Sequence, residues 1–126
     1  GAIIINDAYN ANYDSMKAAL EYLRNVKNRR KIAILGDMLE LGKFSKQIHS
    51  DVGREVYDID VLITVGNEAK NIPNNAKISK ENIFSFDNND DAIKKIKMII
   101  GENDLILVKA SNGMKFTNIV DIIKSF

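Results

Sequence analysis

Side chains suited to binding a nucleoside are concentrated near the start of the sequence. Residues 6–12 include one carboxylate, three amides and a tyrosine, and the candidate ligands are Asp7, Tyr9, Asn10 and Asn12. Amides donate and accept hydrogen bonds and carboxylates accept them, as the edges of a base and the hydroxyls of a ribose require. The same residue types are favoured in turns and at helix N-caps, so a structural role explains them at least as well.

A second candidate is a carboxylate that directly follows an apolar stretch. Residues 36–42 read Gly-Asp-Met-Leu-Glu-Leu-Gly, and Asp37 comes just after the β-branched and aliphatic run 31–35. Ligands of open α/β folds bind at the carboxyl ends of the strands. Asp37 is therefore a candidate catalytic residue that could bind a cation or accept hydrogen bonds from a ligand, although a strand followed by Gly-Asp is a common pattern.

The third candidate group follows the last apolar run, at residues 104–108. Lys109 could supply a point charge for a carboxylate or a phosphate, and it is a second candidate catalytic residue. Ser111 and Asn112 add hydrogen-bond donors, and Gly113 permits close approach of the backbone. An ordinary turn with an exposed lysine is the alternative interpretation.

The bulk properties describe an ordinary globular domain and exclude several functions. The chain has 126 residues, 45% hydrophobic and 28% charged, with a net charge of +1 and no cysteine. These values argue against nucleic acid as a partner and exclude disulfides and thiolate metal sites. We predict no metal site, and no apolar run approaches the roughly 18 residues of a membrane span. A phosphate-binding Gly-x-x-x-x-Gly-Lys-Ser/Thr loop is also missing from the sequence.

The elements that must position these candidates alternate between strand and helix. Strands are predicted at 3–5, 31–35, 60–66, 83–86 and 104–108. Helices are predicted after a cap at Asp14 or Ser15, at 44–57, from about 67, at 91–100 with residues 87–90 as its cap, and at the C-terminus, with a surface loop at 73–80. The alternation predicts one Rossmann-like three-layer α/β domain over residues 1–126. It should contain a mainly parallel sheet of about five or six strands, with helices on both faces. All three candidate loops should then emerge at one edge of the sheet.

Three motifs together resemble one enzyme family. Residues 6–12 followed by Asp-Ser-Met resemble the opening of the C-terminal domain of the Mur ligases. Residues 36–42 resemble, without a change, the motif of the family's D-alanyl-D-alanine-adding branch. Lys109, Ser111, Gly113 and Met114 match the family's Lys-Gly-Ser-Arg-Gly-Met run.

The sequence departs from the family pattern at three positions. Tyr13 stands where the family has proline, Ala110 where it has glycine, and Asn112 where it has arginine. An asparagine cannot form the bidentate contact that arginine makes with a carboxylate, so such a contact is not expected here.

The resemblance implies a cytoplasmic, ATP-dependent ligase of peptidoglycan synthesis. Its substrates would be UDP-N-acetylmuramoyl-tripeptide and D-alanyl-D-alanine. ATP and Mg²⁺ would be held mainly by a central domain that this chain lacks, so the chain alone should not catalyse ligation. The family's C-terminal domain closes over ATP, and the other partners would be the N-terminal and central domains of one monomeric parent chain. A core strand that begins beside Gly1 also leads us to expect a fragment of a longer protein.

The resemblance also implies a role for each matching residue. Asp7 would accept hydrogen bonds from the ribose hydroxyls, and Tyr9, Asn10 and Asn12 would shape the adenine and ribose end. Asp37 would orient the incoming amine or a cation. The carboxylate of D-alanyl-D-alanine, or charge developing during transfer, would be held by Lys109 and Ser111, with Asn112 and Gly113 beside them.

Two other classes of function remain open at the level of sequence. One is a stand-alone binding or signalling module, such as a receiver domain with Asp37 as phospho-acceptor, because doubly wound folds host many functions. The other is a structural interaction domain without a ligand. The single histidine, His49, lies one residue from the apolar stripe of its predicted helix, and we expect it to have a structural hydrogen-bonding role.

Overall fold

The computed structural model describes residues 2–7, 11–111 and 114–125, which contain one five-stranded parallel sheet. The strands are β1 (Ile3–Asp7), β2 (Lys31–Gly36), β3 (Val61–Val65), β4 (Ile83–Phe86) and β5 (Leu105–Lys109). Their order across the sheet is β1-β5-β2-β3-β4. The predicted three-layer α/β architecture is confirmed, and all five strands lie near their expected places. However, β1 and β5 extend to Asp7 and Lys109, which pair with each other, so both residues belong to strands and not to loops.

Four α-helices connect or follow the strands, and their boundaries correct several predictions. They are α1 (Tyr13–Asn25), α2 (Ser45–Gly53), α3 (Asn89–Ile99) and α4 (Thr117–Lys124). The cap of α1 is Asn12 and not Asp14 or Ser15, because the Asn12 side chain accepts from the Ser15 N–H while the Ser15 hydroxyl accepts from the Asn12 N–H. The predicted cap of α3 within 87–90 is confirmed at Asn88.

Helix α2 ends earlier than the sequence predicts. It stops at Gly53, and the next three N–H groups donate to carbonyls three residues back, which tightens the chain into turns. Gly53 lies against the backbone of Ile72, and there is no room for a side chain at this position. Ile72 belongs to a 3-10 helix, Ala69–Asn75, which stands in place of the short helix predicted from residue 67. This 3-10 helix also includes Pro73, which was predicted to lie in a surface loop. Two further 3-10 turns are Gly42–Phe44 and Lys80–Asn82.

Two apolar layers cover the two faces of the sheet. One face packs against α1, α2 and Ala69–Asn75, through residues such as Leu20, Val52 and Ile72. The other face packs against α3 and α4, through residues such as Ile96 and Ile119. Burial of both faces explains why β2, β3 and β5 are nearly continuous apolar runs. No helix among the described residues combines the length and the apolarity needed to cross a membrane.

The topology creates crevices on both sides of β5. The chain leaves β1 and β2 toward the face covered by α1 and α2, whereas it leaves β5 toward the face covered by α4. Neighbouring strands whose connections part to opposite faces form a topological switch point, where open α/β sheets bind ligands. The same divergence occurs between β3 and β4, which lead to Ala69–Asn75 and α3 respectively.

An ion pair fastens the amino ends of β2 and β5, at the edge opposite these crevices. The guanidinium of Arg30 donates to both carboxylate oxygens of the buried Asp104, with N···O distances of 2.7 and 3.1 Å. Burial raises the pKa of Asp104. Hydrogen bonds from Arg30 and from the Gly101 N–H outweigh that effect and hold the pKa below its usual value.

Candidate functional site

The three candidate loops leave the sheet side by side. In the strand register, Asp7 of β1 lies opposite Lys109 of β5, and Lys109 lies opposite Leu35 of β2. Asp37 follows two residues after Leu35, and Ser111 two residues after Lys109. The structure therefore brings these candidates together at the carboxyl edge, as the alternation of strands and helices predicted.

Asp37 is a buried capping residue for the element that follows β3. Only 7% of the residue is exposed, and its Oδ1 accepts hydrogen bonds from the N–H groups of Glu68 and Ala69, at 3.0 and 2.7 Å. These N–H groups lie at the start of the 3-10 helix Ala69–Asn75, where intrahelical partners are missing. The carboxylate thus joins the end of β2 to the end of β3, a function that the sequence did not reveal.

A glycine on β3's carboxyl end makes room for this carboxylate. Gly66 has φ +124°, and a Cβ built there would lie 2.6 Å from Cγ and 2.8 Å from Oδ2 of Asp37. Both the backbone angle and the space therefore require glycine. The interpretation of Gly66 as a turn residue is confirmed, and its further function is to admit the Asp37 side chain.

Lys109 is fully buried at the last position of β5. By strand alternation it shares the sheet face of Leu105 and Leu107, on the side of α1 and α2. The alternative interpretation, an exposed lysine in an ordinary turn, is wrong, because the residue is paired on both sides within the sheet. Fully buried lysines are rare in proteins unless they have a polar or charged partner, and this one lies at the carboxyl edge of the sheet, beside the loop 36–42.

Ser111 connects the loop after β5 to the loop after β2. Its N–H donates to the backbone carbonyl of Asp37 at 3.0 Å, and its Oγ accepts from the Leu39 N–H at 2.9 Å. A hydroxyl that accepts one hydrogen bond can still donate its own proton. Ser111 is therefore a structural link that also offers a donor at the edge of the site.

The alanine that replaces the family's glycine is accommodated by a glycine on the neighbouring strand. Ala110 is fully buried, and its methyl group lies 2.7 Å from where a Cβ of Gly36 would be. The ring of Phe116 occupies the same space from α4's side of the sheet. Because Gly36 lacks a side chain, the Ala110 methyl and the Phe116 ring can both pack there.

Several predicted ligands fall in parts of the chain that the structure does not describe. Tyr9, Asn10, Asn112 and Gly113 lie outside the described residues, and only the backbone of Asp7 is described. The Asn12 side chain is in place as the cap of α1, with its Oδ1 2.8 Å from the Ser15 N–H. Its amide group retains two N–H donors for a ligand.

His49 supports the loop 36–42 from below. It is completely buried in α2, its Nε2 accepts from the Met38 N–H at 3.0 Å, and its Nδ1 lies 2.7 Å from the Ser45 carbonyl. The expected structural hydrogen-bonding role is confirmed. The described residues contain no cluster of three His, Cys, Asp or Glu side chains that could hold a metal ion.

Sequence reasoning missed a polar cleft beside the site. Its volume is about 340 Å³, and it lies where β3 and β4 part, between the N-terminus of α3 and the start of α4. Asp87, Asp90, Lys115 and Asn118 are among its lining residues. Because Lys115 follows the loop 109–113, the cleft adjoins the candidate site.

These features define a doubly wound α/β domain with its polar loops gathered at the switch points around β5. Residues 1–112 match the family described as Mur ligase, glutamate ligase domain. The chain belongs to the Mur ligase family, and the match is to its C-terminal domain.

Individual relatives point to one branch of this family. The chain is 37% identical to UDP-N-acetylmuramoyl-tripeptide–D-alanyl-D-alanine ligase of Bacillus subtilis (strain 168), over 99% of the chain and 29% of that protein. It is 40% identical to the enzyme of the same name from Rickettsia prowazekii (strain Madrid E), over 94% of the chain and 26% of that protein. The chain thus spans less than a third of the length of these curated relatives.

Solved structures of similar fold come from the same branch. A MurF ligase from Acinetobacter baumannii superposes with a TM-score of 0.83 at 28% identity, over 98% of this chain and 28% of that one. A MurF ligase from Thermotoga maritima in complex with ADP gives a TM-score of 0.83 at 24% identity, over 99% of this chain and 28% of that one. At 24% identity, the similarity to the Thermotoga maritima structure shows that the two chains share a fold.

Proposed function

We propose that this chain is the C-terminal domain of a multidomain, cytoplasmic, monomeric ligase that adds D-alanyl-D-alanine to UDP-N-acetylmuramoyl-tripeptide in peptidoglycan synthesis. The observation that carries the proposal is the loop 36–42. It has the complete motif of this branch and lies at a topological switch point, between the loops after β5 and β3. The names of the curated relatives support the same substrates.

The chemistry requires activation before an amide bond can form. An oxygen of the peptide carboxylate attacks the γ-phosphorus of ATP, which releases ADP and gives an acyl phosphate. The amine of D-alanyl-D-alanine then attacks the acyl carbon, the phosphate leaves with the C–O bonding pair, and the nitrogen loses a proton. Because water would hydrolyse the acyl phosphate, closure of this domain over the reactants would protect the intermediate.

Within this scheme, the loop after β1 serves the nucleotide. Asp7 accepts hydrogen bonds from the ribose hydroxyls, and Tyr9, Asn10 and Asn12 shape the ribose and adenine end. The capping hydrogen bond of Asn12 supports this arrangement, because it holds the Asn12 side chain at the start of α1 by its Oδ1 and does not use the amide N–H groups.

The loops after β2 and β5 serve the incoming amine. Asp37 is anchored by its Oδ1, which leaves Oδ2 as the oxygen that would orient the incoming amine. Ser111 donates its hydroxyl proton to the substrate carboxylate, beside Asn112 and Gly113. Lys109, which is fully buried, would hold the substrate carboxylate, or the charge that develops during transfer, from within the sheet edge.

ATP and Mg²⁺ obtain most of their ligands from elsewhere in the parent protein. The described residues offer no carboxylate cluster for Mg²⁺, and one oxygen of Asp37 is committed to backbone N–H groups. This part of the chain therefore does not fit a magnesium site. It fits a surface that completes a nucleotide site built by another domain.

The receiver-like alternative finds no support in the geometry. A phospho-acceptor carboxylate must accommodate a whole phosphoryl group, whereas only 7% of Asp37 is exposed, its Oδ1 caps Ala69–Asn75 and its Oδ2 lies against Gly66. Phosphorylation there would break both backbone hydrogen bonds to Oδ1 or crowd the carboxylate against Gly66.

The nucleotide assignment can be tested with ATP analogues. In the full-length ligase, Asp7→Ala should raise the apparent KM for ATP roughly 10- to 100-fold, which corresponds to loss of one or two hydrogen bonds to a charged acceptor. The wild type should discriminate against 2′-deoxy-ATP, and the variant should lose that discrimination. Asn6→Ala, one residue earlier in β1, is the matched control. An unchanged KM and unchanged discrimination in Asp7→Ala would refute the ribose role.

A further inference from the structure

We propose that His49 is a positioning residue for the ligase site, acting through the hydrogen bond between its Nε2 and the Met38 N–H. The kinetic part of this inference rests on the proposed function, whereas its structural part does not. The residue lies in α2, outside the three loops that hold the candidate ligands, and it contacts one of them from beneath.

His49 is a polar side chain that is completely buried. Sequence periodicity placed His49 beside the apolar stripe, but the structure places it inside the buried face, one turn after the buried Ser45. A buried imidazole must have both ring nitrogens hydrogen-bonded, and both are. The two bonds lead to different parts of the chain, one to the loop 36–42 and one back to α2 itself.

The two hydrogen-bond partners of His49 fix the tautomer of its imidazole. The Met38 backbone nitrogen can only donate, so Nε2 must accept and cannot carry a proton. The proton is therefore on Nδ1, which donates to the Ser45 carbonyl at 2.7 Å, with the Ser45 hydroxyl 3.2 Å away. The imidazole thus connects α2 to the backbone of Met38 through two hydrogen bonds of fixed direction.

Met38 lies in the middle of the loop 36–42, between residues that the proposed function uses. Three successive residues of the loop are each fastened to a different element: Asp37 to Ala69–Asn75, Met38 to α2 through His49, and Leu39 to Ser111. Loss of the central bond would free the backbone between the Asp37 carboxylate and the Ser111 hydroxyl. Both groups serve the amine substrate in the proposed function, so its binding and orientation should respond first.

Two substitutions separate the two hydrogen bonds of His49. In His49→Gln, the side-chain oxygen can take the place of Nε2 and accept from Met38, while the bond to Ser45 is lost. In His49→Asn, the side-chain N–H can take the place of Nδ1 and donate to Ser45, but the shorter side chain cannot reach Met38. Each variant loses one buried hydrogen bond, so the pair is matched in size of perturbation.

In the full-length ligase, His49→Asn should raise the apparent KM for D-alanyl-D-alanine about 10-fold, while the KM for ATP stays within about 2-fold. His49→Gln should stay within about 3-fold of the wild type for both substrates. Equal kinetic losses in the two variants, or a KM for the amine unchanged in His49→Asn, would overturn the proposal. A wild-type ligase that does not use D-alanyl-D-alanine would instead refute the proposed function.

A spectroscopic measurement tests the two hydrogen bonds of His49 independently of catalysis. His49 is the only histidine of the sequence, so long-range ¹H–¹⁵N spectra of the untagged 126-residue chain contain a single imidazole. We expect the Nδ1–H tautomer, with Nε2 unprotonated and with slow exchange of the Met38 amide proton. An Nε2–H tautomer, or rapid exchange of that amide, would overturn the proposal even if no variant could be purified.

Discussion

Replacement of Asp37 by alanine tests whether this carboxylate holds the edge of the site together. The substitution removes Oδ1, the single oxygen that accepts from the N–H groups of both Glu68 and Ala69. Ala69 is fully buried, so its N–H would remain unsatisfied, whereas the half-buried Glu68 can bind water instead. A hydrogen bond to a charged group contributes about 1.5–3 kcal/mol, and loss of a helix cap costs about 0.5–2 kcal/mol. We therefore expect Asp37→Ala to lower the free energy of unfolding by about 2–4 kcal/mol.

The assay is urea denaturation of the chain, with Asp37→Asn as the closest control. The asparagine carbonyl can still accept from both N–H groups, so this variant should lose only about 1 kcal/mol. Asp51→Ala removes a half-buried carboxylate whose contacts, a 4.0 Å ion pair with Arg54 and a 2.8 Å hydrogen bond from the Gln47 side chain, lie at the surface of α2, and it should change stability by about 1 kcal/mol or less. The m-value should stay constant across the series, because the surface exposed on unfolding is unchanged.

Two outcomes would refute this account of Asp37. Stability of Asp37→Ala within about 0.5 kcal/mol of the wild type would mean that the two hydrogen bonds contribute nothing. Equal losses for Asp37→Ala and Asp37→Asn would mean that charge and not hydrogen bonding holds Ala69–Asn75. If Asp37 also orients the amine, Asp37→Asn in the full-length ligase should lower kcat/KM while keeping the fold.

Three further substitutions test separate parts of the structure. Gly36→Ala should lower stability by about 1–3 kcal/mol, because the added methyl group would overpack space that Ala110 and Phe116 already fill. Gly101→Ala is the control: a Cβ there meets only one atom, 3.8 Å away, so thermal melting should give a stability near that of the wild type. Asp104→Asn should cost about 1–3 kcal/mol at pH 7, because Arg30 loses its charged partner. Because the folded-state pKa of Asp104 is lowered, the stability difference between wild type and Asp104→Asn should persist above about pH 4 and vanish as the pH falls through the lowered pKa. Denaturation at several pH values measures this difference, and a difference that grew in acid would contradict the assignment. Asn12→Ala should cost about 1 kcal/mol in the same denaturation assay, whereas Asn12→Asp should retain the cap, and equal stabilities of the two would contradict the capping role.

The sheet was predictable from the sequence because its strands are short apolar runs separated by helical patterns. The strand order was not, since alternation alone does not reveal that β5 inserts between β1 and β2. That insertion determines which loops become neighbours. It places Lys109 between Asp7 and Leu35, and it buries a lysine that a local reading assigns to an exposed turn.

The chemistry of the loops was predictable by residue type, but their structural duties were not. The partners of Asp37 follow it by 31 and 32 residues, in a 3-10 helix without a strong sequence signal. Asn12 is the cap of α1 because the helix begins at Tyr13. The family has proline at the position of Tyr13, and proline is favoured at the first position of a helix. For His49, a usable signal existed: Ser45 and His49 are spaced by four residues, as two polar groups on one buried helical face would be.

The central claim is best tested by phosphate release from the full-length parent enzyme, given ATP, Mg²⁺ and UDP-N-acetylmuramoyl-tripeptide. D-alanyl-D-alanine, D-glutamate and a diamino acid are supplied in parallel, each at the same concentration. The account predicts release that depends on D-alanyl-D-alanine, with a product heavier by one dipeptide residue. Release that depends only on another amine, or no release from a well-folded enzyme with any of them, would contradict it.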